Sequence, residues 1–140
     1  MLYDNLEYTD EHTAIAKQPI ACMGSDPFPE MTPDELRAWY AANRNERGLA
    51  AAYAAASNKA WWVEDDIYDS EEGTPECDKA VAICRAWFAV MDEFKAEIHN
   101  ILRSEGVEIP KRGQVDAEIP FMERNGYKDG DLWWVKKGSS

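Results

Sequence analysis

The stretch from Ala80 to Ile101 limits the possible folds more than any other part of the chain. Its apolar positions, Ala80, Cys84, Trp87, Met91, Phe94, Ile98 and Ile101, step by four, three, four, three, four and three, so they share one side of a helix turning every 3.6 residues. Val81, Phe88 and Leu102 widen the stripe. Thr74-Pro75-Glu76 supplies a start signal: an N-cap hydroxyl, proline at the first helical position and an acid in the first turn. Ser104-Glu105-Gly106-Val107 supplies a stop, with an apolar residue after the glycine as in a Schellman ending. A helix of roughly 30 residues at 1.5 Å each is about 45 Å long. An apolar stripe of that length needs an equally long cover.

The same chain offers one. Leu49, Ala52, Tyr53, Ala56, Ala60, Val63 and Ile67 follow helical spacing and predict a helix over about 46 to 69, whose alanines allow a neighbouring helix close. With a short turn at Gly73-Thr74, the two helices form a long antiparallel hairpin. Thr32-Pro33-Asp34-Glu35 predicts a further helix start, with Glu35 three residues after the cap, and Leu36, Trp39 and Tyr40 give its apolar face before a break near Asn43 to Gly48. Residues 1–31 hold Pro19, Gly24, Pro27 and Pro29 without a helical stripe, predicting an extended arm with one short strand around Thr13 to Cys22. After Gly106 the pattern changes. Val115, Ala117, Ile119 and Phe121 alternate, and Asp129-Gly130 reads as a tight hairpin turn between Tyr127 and Trp133. The expected fold class is therefore mainly α: a short helix plus a long antiparallel helical hairpin, with a small C-terminal α/β element over 107–140 and an extended N-terminal arm. At 140 residues this is one domain, 1–140.

The formal net charge is -12, and its distribution is more informative than its size. Residues 64–78 hold eight acids and no base, residues 1–31 hold six acids and one base, and the rest of the chain balances to +1. The block is Glu64, Asp65, Asp66, Asp69, Glu71 and Glu72, with Glu76 and Asp78 beyond the turn. On the predicted hairpin it falls at the tip and makes one end strongly negative. Such a surface repels DNA, RNA and anionic membranes, which argues against direct nucleic-acid or membrane binding.

Familiar catalytic patterns are missing. The sequence has no G-x-x-x-x-G-K, G-x-G-x-x-G, G-x-S-x-G or H-E-x-x-H motif. His12 and His99 stand alone, and His99 beside the stripe reads as a core-edge residue. Cys22, Cys77 and Cys84 are odd in number and suit reduced thiols in the cytoplasm. Cys77 and Cys84, seven apart on one helix, lie about 10 Å apart along its axis, too far for a disulfide. Asp65 and Asp69, four apart, with Asp66, Glu71 and Glu72, are the only candidate for a hard cation. A calcium loop with Gly73 at its sixth position would need acids at Tyr68, Ser70 and Glu72, and only one is acidic. No metal, cofactor or catalytic residue is therefore expected. The N-terminus carries acids where an export signal needs bases, and the longest apolar run, Leu49 to Ala56, is far too short to span a bilayer. The expectation is a soluble cytoplasmic protein.

Six tryptophans remain, Trp39, Trp61, Trp62, Trp87, Trp133 and Trp134. Trp87 falls in the long stripe. Trp61 and Trp62 point away from the stripe of their own helix, so either the first helix or Trp133-Trp134 covers them, or they form an aromatic anchor beside the acids, a combination suited to a protein-binding hot spot. In size, acidity and lack of a catalytic motif the chain resembles the small phage and mobile-element proteins that inhibit host defence nucleases, including anti-CRISPR and other DNA-mimic inhibitors; the likeness is one of character, not of aligned residues. It implies a non-enzymatic inhibitor whose carboxylates stand in for phosphates on a basic surface. Two other classes fit the residues: a structural hairpin that forms a homo-oligomer through its apolar face, and a carboxylate-based metal-binding protein.

Overall fold

The computed structural model describes the backbone of residues 31–69, 71–109, 117–129 and 134–136, and their side chains except those of 65–69, 129, 135 and 136. The expected N-terminal arm, with its strand, His12 and Cys22, lies outside the described residues. Among the described residues four helices and one two-stranded sheet follow in order: α1 (Pro33–Ala42), α2 (Glu46–Asp69), α3 (Pro75–Ser104), α4 (Ile119–Arg124), β1 (Tyr127–Asp129) and β2 (Trp134–Lys136). The chain is mainly helical, with α2 and α3 as the long hairpin and a small α/β element at the C-terminal side.

Local chemistry sets the helix ends. Thr32 Oγ1 accepts from the Glu35 backbone N–H at 3.1 Å while the Glu35 carboxylate accepts from the Thr32 N–H at 2.9 Å, closing a capping box. Asn45 Oδ1 accepts from Gly48 N–H at 2.8 Å and caps α2. The three-residue connection there is tight. A Cβ on Gly48 would lie 1.9 Å from the Asn43 carbonyl oxygen, so only glycine admits this approach. At its far end α3 closes as a Schellman motif, with Val107 N–H bonded to the Leu102 carbonyl and Gly106 N–H to that of Arg103, both at 3.0 Å.

Packing follows the stripes. On α3, Ala80, Cys84, Trp87, Met91, Phe94 and Ile98 are buried, and Ile101 is partly buried against them. They face an unusual partner. From Ala52 to Ala60 every residue of α2 is buried, including Ser57, Asn58 and Lys59. The alanines bring neighbours close, and the helix is covered on all its faces rather than on one. Lys59 is fully buried, with Nζ 5.9 Å from the centroid of the Trp87 ring. Cys84 Sγ lies 3.8 Å from the Ala60 carbonyl, close enough for a weak S–H donation. Tyr40 of α1 meets Phe94 edge-on at 5.3 Å, and Arg44 sits over the Tyr40 ring while pairing with Glu97.

The C-terminal element corrects one expectation and resolves another. The alternating segment through Ile119 and Phe121 supplies the helical part of the α/β element: Ile119–Arg124 is helix α4, with Pro120 in its first turn and Asn125 and Gly126 ending it. Phe121 and Met122, adjacent in sequence, are both fully buried, which a strand with one solvent face would not permit. The hairpin exists, with Tyr127 opposite Lys136 and Asp129 opposite Trp134. Residues 130–133 connect its strands, so the connection is longer than the two-residue turn expected at Asp129-Gly130. Residues 130–133 themselves lie outside the described residues.

Candidate functional site

The acid block occupies the end of the hairpin. Glu64, Asp65, Asp66 and Asp69 lie on the last turns of α2, Glu71 and Glu72 on the turn, and Glu76 and Asp78 on the first turn of α3. Few residues define this tip. Gly73 takes φ +85°, the left-handed conformation that a reversal here requires. Thr74 then makes two side-chain bonds: its hydroxyl donates to the Glu71 carbonyl at 2.6 Å and accepts from Cys77 N–H at 3.3 Å. The turn is thereby tied to the start of α3, and Cys77 behind it is buried.

Glu71, Glu72 and Glu76 are exposed and Asp78 is half-buried. None of these four carboxylates has an ion-pair partner among the described residues. Several acids elsewhere are matched. Arg37 pairs with Asp34 and Glu93, Arg44 with Glu97, Arg124 with Glu46 and Glu105, and Lys95 with Glu118. Among the described residues, the charges of Glu71, Glu72, Glu76 and Asp78 are thus left without ion pairs while several acids elsewhere are balanced by neighbours.

Glu64 departs from the expected surface. It is 7% exposed, turned from the solvent at the level of α3, and its charge helps burial push the Cys84 thiol up to about 12. A carboxylate that is buried in its own fold cannot contact a partner, so Glu64 is a structural group and not part of the outward surface. Asp65, Asp66 and Asp69 are placed by the helix backbone, and their side chains lie outside the described residues.

The two tryptophans separate. Trp62 is half-buried and packs against the core. Trp61 is 46% exposed and meets Phe88 of α3 edge-to-face, with ring centroids 5.5 Å apart. Among the described residues neither the first helix nor Trp134 is its ring partner, and Trp133 lies outside them; Trp134 instead meets Tyr53 at a tilt, at 6.3 Å. Phe88 lies at the edge of the α3 stripe, and helical spacing alone does not pair it with Trp61, because it leaves the register of the hairpin open.

A second polar cluster was not foreseen. Glu118, 4% exposed at its side chain, accepts from the Tyr53 hydroxyl at 3.1 Å, and lies 3.4 Å from His99 Nε2 and 3.7 Å from Lys95 Nζ. Burial, followed by the charge of Glu118, holds the Tyr53 hydroxyl well above its ordinary pKa. The cluster joins α2, α3 and the residue before α4, and its geometry is that of an internal clasp. His99 therefore sits at the core edge, and its ring faces a carboxylate of the same chain. Among the described residues no three His, Cys, Asp or Glu side chains converge as a metal site, and no helix is long and apolar enough to cross a membrane. Comparisons with protein-family models, curated proteins and solved structures gave no match to this chain.

Proposed function

We propose that the protein is a non-enzymatic interaction module whose acidic hairpin tip occupies a basic surface of a partner protein, in the manner of a DNA-mimic or anti-CRISPR-type inhibitor. The observation that carries this reading is the exposed charge of the tip: no base over 64–78, with Glu71, Glu72 and Glu76 exposed and without an ion-pair partner among the described residues. A nucleic-acid-binding protein presents a groove of Lys and Arg side chains with its own counterions. Carboxylates fixed on a helical scaffold can pair with those side chains in place of phosphates, and the scaffold limits the ordering cost. The assembly reading is less well supported, because the apolar stripe of α3 is already covered within one chain. No open apolar seam is left along it for a homo-oligomer to bury.

The test is capture of partners from the native host with the protein and with a variant carrying Asp65→Asn, Asp66→Asn, Asp69→Asn, Glu71→Gln and Glu72→Gln. A nucleic-acid-binding protein retained by the first, lost by the second and released by competing DNA supports the reading. Retention by both, indifferent to DNA, contradicts it.

A further inference from the structure

We propose that Trp61 is the anchor of the acidic surface and that its exposed indole receives an arginine side chain of the partner. This rests on the reading of the tip as a site for a basic protein, and it adds which cation is taken and where. Several aromatic rings among the described residues already carry a cation from the same chain, among them Tyr40 under Arg44, Trp87 under Lys59 and Phe121 under Arg124. Trp61 has none among the described residues, although it is 46% exposed and its ring is steadied by Phe88 at 5.5 Å. Indole is the strongest ring acceptor for a cation. A planar guanidinium stacks on it better than a compact, strongly hydrated ammonium does.

Charge complementarity selects the occupant. Trp61 stands on the helix that runs into the acid block, with Asp65 one turn further along α2 and the exposed Glu71, Glu72 and Glu76 at its end. An apolar partner segment would gain only the modest area of one indole and the accessible part of Phe88. A basic segment gains the same area, the ring quadrupole and the field of the tip together.

The experiment uses the full-length chain and two fluorescently labelled probes, octa-arginine and octa-lysine, with binding followed by anisotropy at moderate salt. The expected result is tighter binding of octa-arginine by about two- to five-fold. Trp61→Ala and Trp61→Leu should both bring this ratio to about one, while binding of each peptide persists; the leucine variant keeps apolar bulk and guards against a packing defect. A wild-type ratio of one, or an undiminished ratio in both variants, overturns the arginine assignment. Undiminished binding of both peptides by a Glu71→Gln/Glu72→Gln/Glu76→Gln variant overturns instead the reading of the acidic tip. If neither peptide binds the wild-type chain, both fall.

Discussion

Asn58 and Trp134 are joined by two reciprocal hydrogen bonds: the Asn58 side-chain amide donates to the Trp134 carbonyl at 3.0 Å, and the Trp134 N–H donates to Asn58 Oδ1 at 2.8 Å. The side-chain amide acts as a peptide group would in a neighbouring strand, and covers the outer edge of β2. An Asn in the middle of a buried helix is otherwise unfavourable. Here it satisfies a short hairpin that could not stand alone.

Replacing Asn58 with alanine therefore leaves two buried backbone groups unmet, at about 1–3 kcal/mol each. Asn58→Ala should lower stability by about 2–4 kcal/mol in urea unfolding, and Asn58→Asp should lower it at least as much, since its second oxygen faces the Trp134 carbonyl. A loss below about 0.5 kcal/mol in either variant would show that the paired bonds do not hold the hairpin to α2.

Gly48→Ala sets two effects against each other. Helix propensity favours alanine by about 1 kcal/mol. The clash with the Asn43 carbonyl opposes it, because a Cβ at 1.9 Å forces the backbone of the α1–α2 connection to move. The clash should win, with a net loss of about 2 kcal/mol or more in denaturant unfolding. A raised unfolding midpoint would mean that the connection yields freely.

What local chemistry dictates was legible in the sequence. The two Thr-Pro starts, the stripe of α3 and the glycine stop all act within four residues of one another, and they produced helix ends at Pro33, Pro75 and Ser104. The placement of the acid block at a hairpin tip followed from them. Contacts between distant positions were not legible. Glu118 finds Tyr53 from 65 residues away, and Asn58 finds Trp134 from 76. Glu64 belongs to the same group: one acid within a charged run gives no sign that the adjacent helix will cover it. The alternation at Ile119 and Phe121 left the helix there unmarked, because two adjacent buried residues, Phe121 and Met122, are invisible to a period-two count.

Acid should weaken the link between the hairpin and the C-terminal element. Hydrogen bonding to Arg124, aided by Asn125, holds the Glu46 carboxyl below the ordinary carboxylate range. As pH falls the unfolded chain takes up this proton first, so the stabilisation is complete above the unfolded value of 4.5 and fades as pH drops through the folded value. Glu46→Gln should lower stability at pH 7 and flatten its decline below pH 5. Because the pair is well exposed, the effect should also shrink with added salt. An unchanged pH profile in the variant would remove Glu46 from the account.

Cys84 should be inert in the native protein. Burial, with the charge of Glu64, pushes its thiol up to about 12, and a thiol without thiolate is a poor nucleophile. In a Cys22→Ser/Cys77→Ser background at pH 8, a disulfide reagent should fail to label the folded chain and should label it fully in denaturant. The same shift keeps its share of stability intact below pH 9 and removes it as pH rises towards about 12. Rapid labelling of the native chain would place Cys84, and with it Glu64, at the surface.

The most direct test of the acidic tip is the salt dependence of its binding to a basic probe. With labelled octa-arginine, log Kd against log salt should be steep for the wild-type chain, and much shallower for the variant with Asp65, Asp66, Asp69, Glu71 and Glu72 neutralised, while far-ultraviolet circular dichroism stays the same. Equal slopes for the two proteins would contradict the claim that this end of the hairpin is the binding surface.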